Sequence, residues 1–225
     1  MFHTKNGMSA KAVIFDFGNV LAFFDHHRAT RQLALRSRWT EQEIYQAIFN
    51  TELEDALESG RLSASAFLDH LREHCTVEGS DEVLGDLFGD IFSDNPEVCS
   101  IIPRLKPRYR LVLGSNCTPL HAQRFVPQFA GTLSHFDGLV LSYEIGVRKP
   151  KRGFFEHCSR LAECAPAECL FIDDLPANVA GARACDWRGI VYTNFVDFCN
   201  ELTALGIKGV GLVDGHSGGI MTKHQ

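Results

Sequence analysis

Nothing in this sequence points toward a membrane or toward nucleic acid. No apolar run approaches the ~20 residues that a bilayer crossing requires, and the opening MFHTKNGMSAK has no apolar core of the signal-peptide kind. There is no basic excess either: 22 Lys and Arg stand against 28 Asp and Glu, a formal charge of −6, so no cationic surface for nucleic acid is expected. Internal repeats and Cys-x-x-Cys pairs are missing. The eight cysteines, at 75, 99, 117, 158, 164, 169, 185 and 199, form no Cys/His cluster of zinc-ligand spacing. Several lie in apolar runs, as Cys169 does beside Leu170 and Phe171, where cysteine acts as a small buried hydrophobe. Reduced structural thiols and a cytoplasmic protein are the expectation.

What is present is the composition of an ordinary globular chain: 225 residues, 45% hydrophobic and 22% charged, enough for one domain or one domain with an insertion. Five short apolar segments bounded by turn residues read as buried strands, at 12–17, 110–114, 136–142, 168–172 and 189–193. Helical patterns alternate with them. One opens at Asn95-Pro96, with Asn95 as its cap, and runs to about Lys106; others fall at 119–129, 151–163 and 176–185. Such alternation predicts an α/β fold, a parallel sheet covered by helices on both faces. The stretch 25–94 differs, with no convincing strand and several amphipathic helices. Thr40-Glu41-Gln42-Glu43 is a capping box and Ser63 caps 64–75. A block of roughly 70 residues is too long for a simple crossover and predicts an inserted all-helical subdomain. The expected organisation is a core at 10–24 and 95–207, a helical insertion at 25–94 and a flexible, glycine-rich tail at 208–225.

In parallel α/β sheets, ligands bind beyond the carboxyl ends of the strands. Here the first strand ends in Asp16-Phe17-Gly18-Asn19, the second in Ser115-Asn116 and a later one in Asp173-Asp174, while another leads to Arg148-Lys149-Pro150. Adjacent carboxylates after a buried strand repel one another and call for a cation. Magnesium suits such a set, being satisfied by carboxylate, water and phosphate oxygens. A phosphoryl group in turn needs cations and hydrogen-bond donors for its equatorial charge. Three carboxylates, a lysine and a hydroxyl on one sheet edge therefore predict a magnesium and phosphate site.

These four segments, in this order and around a helical insertion, resemble the four motifs of the haloacid dehalogenase superfamily, over residues 11–193. The resemblance implies a Rossmann-like core with a helical cap. It implies Asp16 as a nucleophile that forms an aspartyl-phosphate, Lys149 as the counter-charge, and Ser115 with the amide of Asn116 as phosphoryl ligands. Asp16, the Gly18 carbonyl, Asp173 and Asp174 would hold Mg2+. The substrate would be a small phosphorylated metabolite.

One position departs from the motif. Where the family usually carries a second aspartate as general acid and base, this chain has Gly18, and such a group is typically worth ~10²–10⁴-fold. Three readings stay open: esters with good leaving groups, a substitute group among Asp25, His26 and His27, or a catalytically weak phosphate-binding protein. The run IFDFGNVL with ESGRLSASAF in the cap resembles a branch with the same glycine, which includes α-D-glucose-1-phosphate phosphatase and is akin to the phosphatase domain of soluble epoxide hydrolase. That likeness implies sugar phosphates, whose anomeric oxygen leaves readily. A 2-haloacid dehalogenase is the competing reaction on this fold, but it has no use for a metal-binding Asp173-Asp174 pair. A mutase would need the acid–base group that Gly18 replaces.

Overall fold

A computed structural model of the chain describes residues 9–49 and 51–210. The centre is a five-stranded, all-parallel sheet in which β1 (Ala12–Phe15) lies in the middle. On one side of it follow β4 (Arg110–Ser115) and β5 (Gly138–Leu141), on the other β6 (Cys169–Asp173) and β7 (Arg188–Val191). All five strands expected from the sequence form, with ends shifted by no more than two residues. The register pairs Val13 with Leu111 and with Leu170, so the apolar rows of the three central strands align.

Side chains on successive strand residues point to opposite faces, and both faces are buried. On one, Val13, Phe15, Leu111 and Ile172 pack with α6 (Pro96–Leu105) and α12 (Phe195–Ala204). On the other, Ile14, Val112 and Phe171 meet Phe154, Phe155 and Cys158 of α10 (Arg152–Ala162) and Val179 and Ala182 of α11 (Pro176–Arg183). A strand buried on both faces tolerates no polar residue before its end. Polar groups are thus pushed to the strand termini, which is where the chemistry collects.

Between β2 (Ala22–Phe24) and β3 (Phe92–Asp94) come five helices: α1 (His26–Ala34), α2 (Glu41–Ile48), α3 (Glu52–Glu58), α4 (Ala64–His74) and α5 (Asp81–Gly89). Thr40 and Glu43 form the expected capping box and Ser63 caps α4 through the Ala66 amide. Phe67, Phe88 and Leu33 are fully buried in this block, and α5 packs on α7 (Pro119–Gln128) of the sheet domain. The remaining short helices, α8 (Ala130–Leu133) and α9 (Ser142–Ile145), flank β5. No described helix is long and apolar enough to cross a membrane, and all eight cysteines are free, six of them buried.

Three expectations need correction. The block 25–94 does contain a strand: β3 pairs antiparallel with β2, so the chain leaves and re-enters the sheet domain through a two-stranded ribbon. At three residues, with only the first buried, it is too short to show alternation. Asn95 precedes α6 but makes no side-chain cap. Its buried amide instead donates to the Val20 carbonyl at 2.8 Å and to the Tyr192 hydroxyl at 3.0 Å, tying the ribbon to the segment after β7. Of the expected tail, 211–225 lies outside the described residues, whereas Val210 is buried and the Lys208 amide donates to the Tyr109 hydroxyl at 2.9 Å.

Candidate active site

β1, β4 and β6 are neighbours in the sheet, and their carboxyl ends bring three polar residues together. Asp16 is the first residue past β1, while Ser115 and Asp173 are the last of β4 and β6. Asp16 is anchored by its own backbone, its amide donating to the Ile172 carbonyl at 2.8 Å. Its Oδ1 accepts from the Phe17 amide at 2.7 Å and lies 2.6 Å from Lys149 Nζ. The same ammonium donates to Asp173 Oδ2 at 2.7 Å. Lys149 is held there by Asn116, whose side chain accepts from the Lys149 amide at 2.8 Å and donates to its carbonyl at 3.1 Å. The Asn116 side chain is thus spent on positioning Lys149.

Asp173 and Asp174 differ in their freedom. Asp173 is wholly buried, and its two oxygens already accept from Lys149, from the Leu175 amide at 2.9 Å and from Asn178 Nδ2 at 2.9 and 3.1 Å. Asp174 is only half-buried and accepts from Asn19 Nδ2 at 2.9 Å. Ligand oxygens of Asp16, Asp173 and Asp174 lie within 4.8 Å of one another. Three carboxylates so close, with one ammonium among them, leave negative charge uncompensated. Burial first, and then Asp173 and Asp174, push Asp16 up to about 7 against the pull of Lys149. Asp174 is raised as well, by burial and by Asp173. Burial alone would discharge Lys149, but the Asp16 and Asp173 carboxylates outweigh it and hold it above the ordinary lysine range. The set fits a divalent cation, whose charge would relieve the crowding.

Asp16, Gly18, Ser115, Asn116, Lys149 and Asp174 line one cavity of about 300 Å³, with Asp173 packed behind Lys149. Its far wall comes from the helical block and ribbon, including Phe24, His26, Glu54, Glu58 and Phe92, with Arg148 and His121 from the sheet domain. The missing carboxylate at 18 has a steric counterpart. A Cβ on Gly18 would lie 2.9 Å from Cε1 of Phe24, so the aromatic ring occupies the space. Among the three proposed substitutes, Asp25 caps α1 and pairs with Arg31, and His27 pairs with Glu41 at 2.7 Å while stacking on Tyr45. Neither lines the cavity. His26 does, stacked on Phe49 with 3.9 Å between ring centres, and burial lowers it to about 4. It is therefore a neutral imidazole at neutral pH, able to accept a proton but not to supply one.

Sequence reasoning missed Asn19, Asn178, Glu58 and His121. Asn19 has φ of 54°, a left-handed conformation that asparagine tolerates better than most residues, and this turns its amide toward Asp174. Asn178 sits five residues after Asp173, in the first turn of α11, and a helix starting beneath a carboxylate pair was a usable signal. Glu58 and His121 carry none, because only folding brings α3 and α7 over the sheet edge.

Comparisons with known proteins agree with this fold. Residues 10–186 match the haloacid dehalogenase-like hydrolase family. A D-ribitol-5-phosphate phosphatase from Bacteroides thetaiotaomicron is 27% identical over 207 residues, covering 87% of this chain and 98% of that one. A HAD-like family hydrolase of known structure from Porphyromonas gingivalis superimposes with a TM-score of 0.74 at 27% identity, over 87% of this chain and 98% of its own. A second structure, a HAD family enzyme from B. thetaiotaomicron bound to magnesium and inorganic phosphate, gives 0.72 at 21% identity, over 82% and 95%. With the family matched across both the sheet edge and the helices above it, the chain belongs to the haloacid dehalogenase-like hydrolases.

Proposed function

We propose that this protein is a Mg2+-dependent phosphatase of small phosphate monoesters, working through an aspartyl-phosphate on Asp16. The observation that carries the reading is the buried Asp16–Lys149–Asp173 chain beside a freer Asp174, against one cavity. Asp16, the Gly18 carbonyl and Asp174 would hold the ion, and Asp173, whose oxygens are already taken, would orient the set. Magnesium, when bound, supplies positive charge to the phosphoryl oxygens. Segment 25–94 acts as a cap over a core of 10–24 and 95–207, supplying cavity-lining residues such as His26, Glu54 and Glu58. Eight free thiols accord with a reducing cytoplasm.

In the first step an Asp16 oxygen attacks phosphorus and the bond to the ester oxygen breaks, the departing oxygen taking a proton from solvent. Lys149 offsets the charge on Asp16, and Ser115 Oγ, which makes a long bond of 3.4 Å to the Asn116 carbonyl, would donate to a phosphoryl oxygen. Water then attacks phosphorus of the aspartyl-phosphate, the bond to the Asp16 oxygen breaks, and inorganic phosphate leaves, the proton of the attacking water passing to solvent. Sugar and sugar-alcohol phosphates are the substrates we favour, in line with the ribitol-phosphate specificity of the relative. Hydrolysis of para-nitrophenyl phosphate, with Mg2+ and with chelator, tests the reading. Release that stops on chelation supports it. No release from this ester or from any sugar phosphate would leave a phosphate-binding protein, the reading that Gly18 keeps in play.

Gly18 makes its own prediction. Without a resident acid, turnover should fall steeply as the leaving alcohol becomes more basic. Gly18→Asp alone brings little gain, since its Cβ meets the Phe24 ring. Combining it with Phe24→Ala opens the space and raises the rate on alkyl phosphates by about 10²-fold, the low end of what a general acid contributes. Equal rates for aryl and alkyl esters in the unaltered enzyme would show that another acid already serves.

A further inference from the structure

Ser142, the first residue of α9, is wholly buried and does not line the cavity, yet its hydroxyl joins the helical block to the site. Its Oγ donates to the Glu58 carbonyl at the end of α3, 2.6 Å away, and accepts from the Cys117 amide at 3.0 Å. Cys117 directly follows Ser115-Asn116, and the Asn116 side chain holds Lys149 through its backbone amide and carbonyl. We propose that Ser142 is a positioning residue, a relay through which the seated end of α3 sets the 115–117 loop and Lys149 for phosphoryl transfer. The inference rests on the phosphatase reading for what that loop does, and adds to it a residue that touches neither substrate nor metal.

The direction of the relay follows from its chemistry. A hydroxyl has a single hydrogen to give. Two carbonyls are within reach, that of Glu58 at 2.6 Å and that of Cys117 at 3.2 Å, and the nearer one takes it. The Cys117 N–H meets a lone pair on the same oxygen, so amide, hydroxyl and carbonyl polarise one another in series. Glu58 closes α3, and its carbonyl is among those that a helix leaves without a partner of its own. Ser142 supplies that partner from the core.

Two further contacts seat the end of α3 on the same stretch of the core. Arg148, the residue before Lys149, pairs with Asp55 and with Glu58, the latter at 2.6 Å. Gly60 has φ of 67° and lies so close to α9 that a Cβ would run into the Tyr143 carbonyl oxygen. One turn of the cap is thus fixed at residues 142, 143 and 148. A shift of that turn would pull on the Cys117 amide at one end and on the neighbour of Lys149 at the other. Misplacing a catalytic group by about 1 Å costs on the order of 10²-fold even when the cause lies far from the chemistry. Gly60 and Asp55 are the levers from the cap side, since neither lines the cavity.

The test uses the full chain and reads amide hydrogen exchange at Cys117 and Lys149 without ligand, beside para-nitrophenyl phosphate turnover at saturating Mg2+. Gly60→Ala should speed exchange at both amides and lower kcat/KM, each by about tenfold or more. Ser142→Ala should do the same from the core side, and the double variant should be no worse than the poorer single, because both cut one relay. Asp55→Ala, a milder release of the same helix end, should move both readouts in the same direction, and it stands in if Gly60→Ala does not fold. The control is Gly206→Ala, where φ is 75° and nothing lies within 4 Å of a Cβ; it carries the same backbone strain and should change neither readout. Unchanged exchange in the cap-side variants, or faster exchange with turnover intact, would overturn the relay and leave Ser142 as the partner of a buried helix end. Additive losses in the double variant would overturn it too. A failed phosphatase reading looks different, with no release from the unaltered protein. Calorimetric binding of inorganic phosphate with Mg2+ then replaces turnover. Affinity weakened about tenfold in the cap-side variants upholds the relay, whereas equal affinities, or no phosphate bound by the unaltered protein, refute it.

Discussion

Asp16→Asn should abolish phosphate release, by at least about 10⁴-fold, while leaving the fold intact. The size follows from the role: losing the nucleophile of a covalent route removes the pathway rather than weakening it. The variant is close in shape and keeps an oxygen for the Phe17 amide, which now donates to Asp16 Oδ1 at 2.7 Å. Its stability should carry a separate signature. Asp16 is raised from 3.8 to about 7 in the fold, so the folded state holds this proton more tightly than the unfolded chain. For a raised carboxyl, that contribution is present at low pH and is lost as pH climbs from about 4 to about 7. Without metal, unaltered protein should therefore weaken over this window relative to the variant, by a few kcal/mol at most. Melting curves in chelator at pH 5 and pH 8, run beside para-nitrophenyl phosphate assays, check both halves. Turnover retained in the variant would remove Asp16 from the chemistry.

Much of the sheet edge was legible because burial forces it to be. A strand such as AVIF, with no exposure on either face, cannot continue into Asp16, so the residue type marks the strand end and the end marks the site. Lys149 was readable only through the motif resemblance, since α9 separates it from the end of β5. Other parts depend on contacts that leave no local trace. Asn95 looks like a helix cap in sequence, yet its amide spans to Val20 and Tyr192. Phe24 reads as ordinary strand filler, and only the fold shows its ring 2.9 Å from where a Cβ on residue 18 would sit. His26 and His27 are equivalent on paper. One residue step, about 100° around the helix, separates their fates, placing His26 against the cavity and His27 in an exposed pair with Glu41. The cap wall was the least legible of all, because Glu58 and His121 come from helices more than sixty residues apart.

Lys149→Met should cost both stability and rate, and the two losses should separate. The ammonium is 1% exposed and bridges Asp16 and Asp173 at 2.6 and 2.7 Å. Removing one partner of a buried ionic set leaves the others uncompensated, typically a loss of 3–5 kcal/mol, or roughly 10 °C in melting temperature for a chain of this size. Methionine fills much the same volume beside Phe154 and Phe171, whose rings lie 5.8 and 5.5 Å from the nitrogen, so packing adds little to the loss. With the ammonium gone, the three carboxylates hold more negative charge, and added Mg2+ should raise the melting temperature more in the variant than in the unaltered protein. The rate should not recover in parallel. A cation can neutralise the carboxylates, but the positive charge fixed beside the Asp16 oxygen is gone, and losing a preorganised charge of this kind costs about 10³-fold. Melting curves and single-turnover phosphate release at low temperature, both at saturating Mg2+, resolve the question. A variant that is restored in stability yet remains slow assigns Lys149 to the phosphoryl step. One whose rate returns with its stability makes the lysine a structural counter-ion, and Asp16 would then have to be activated by the metal alone.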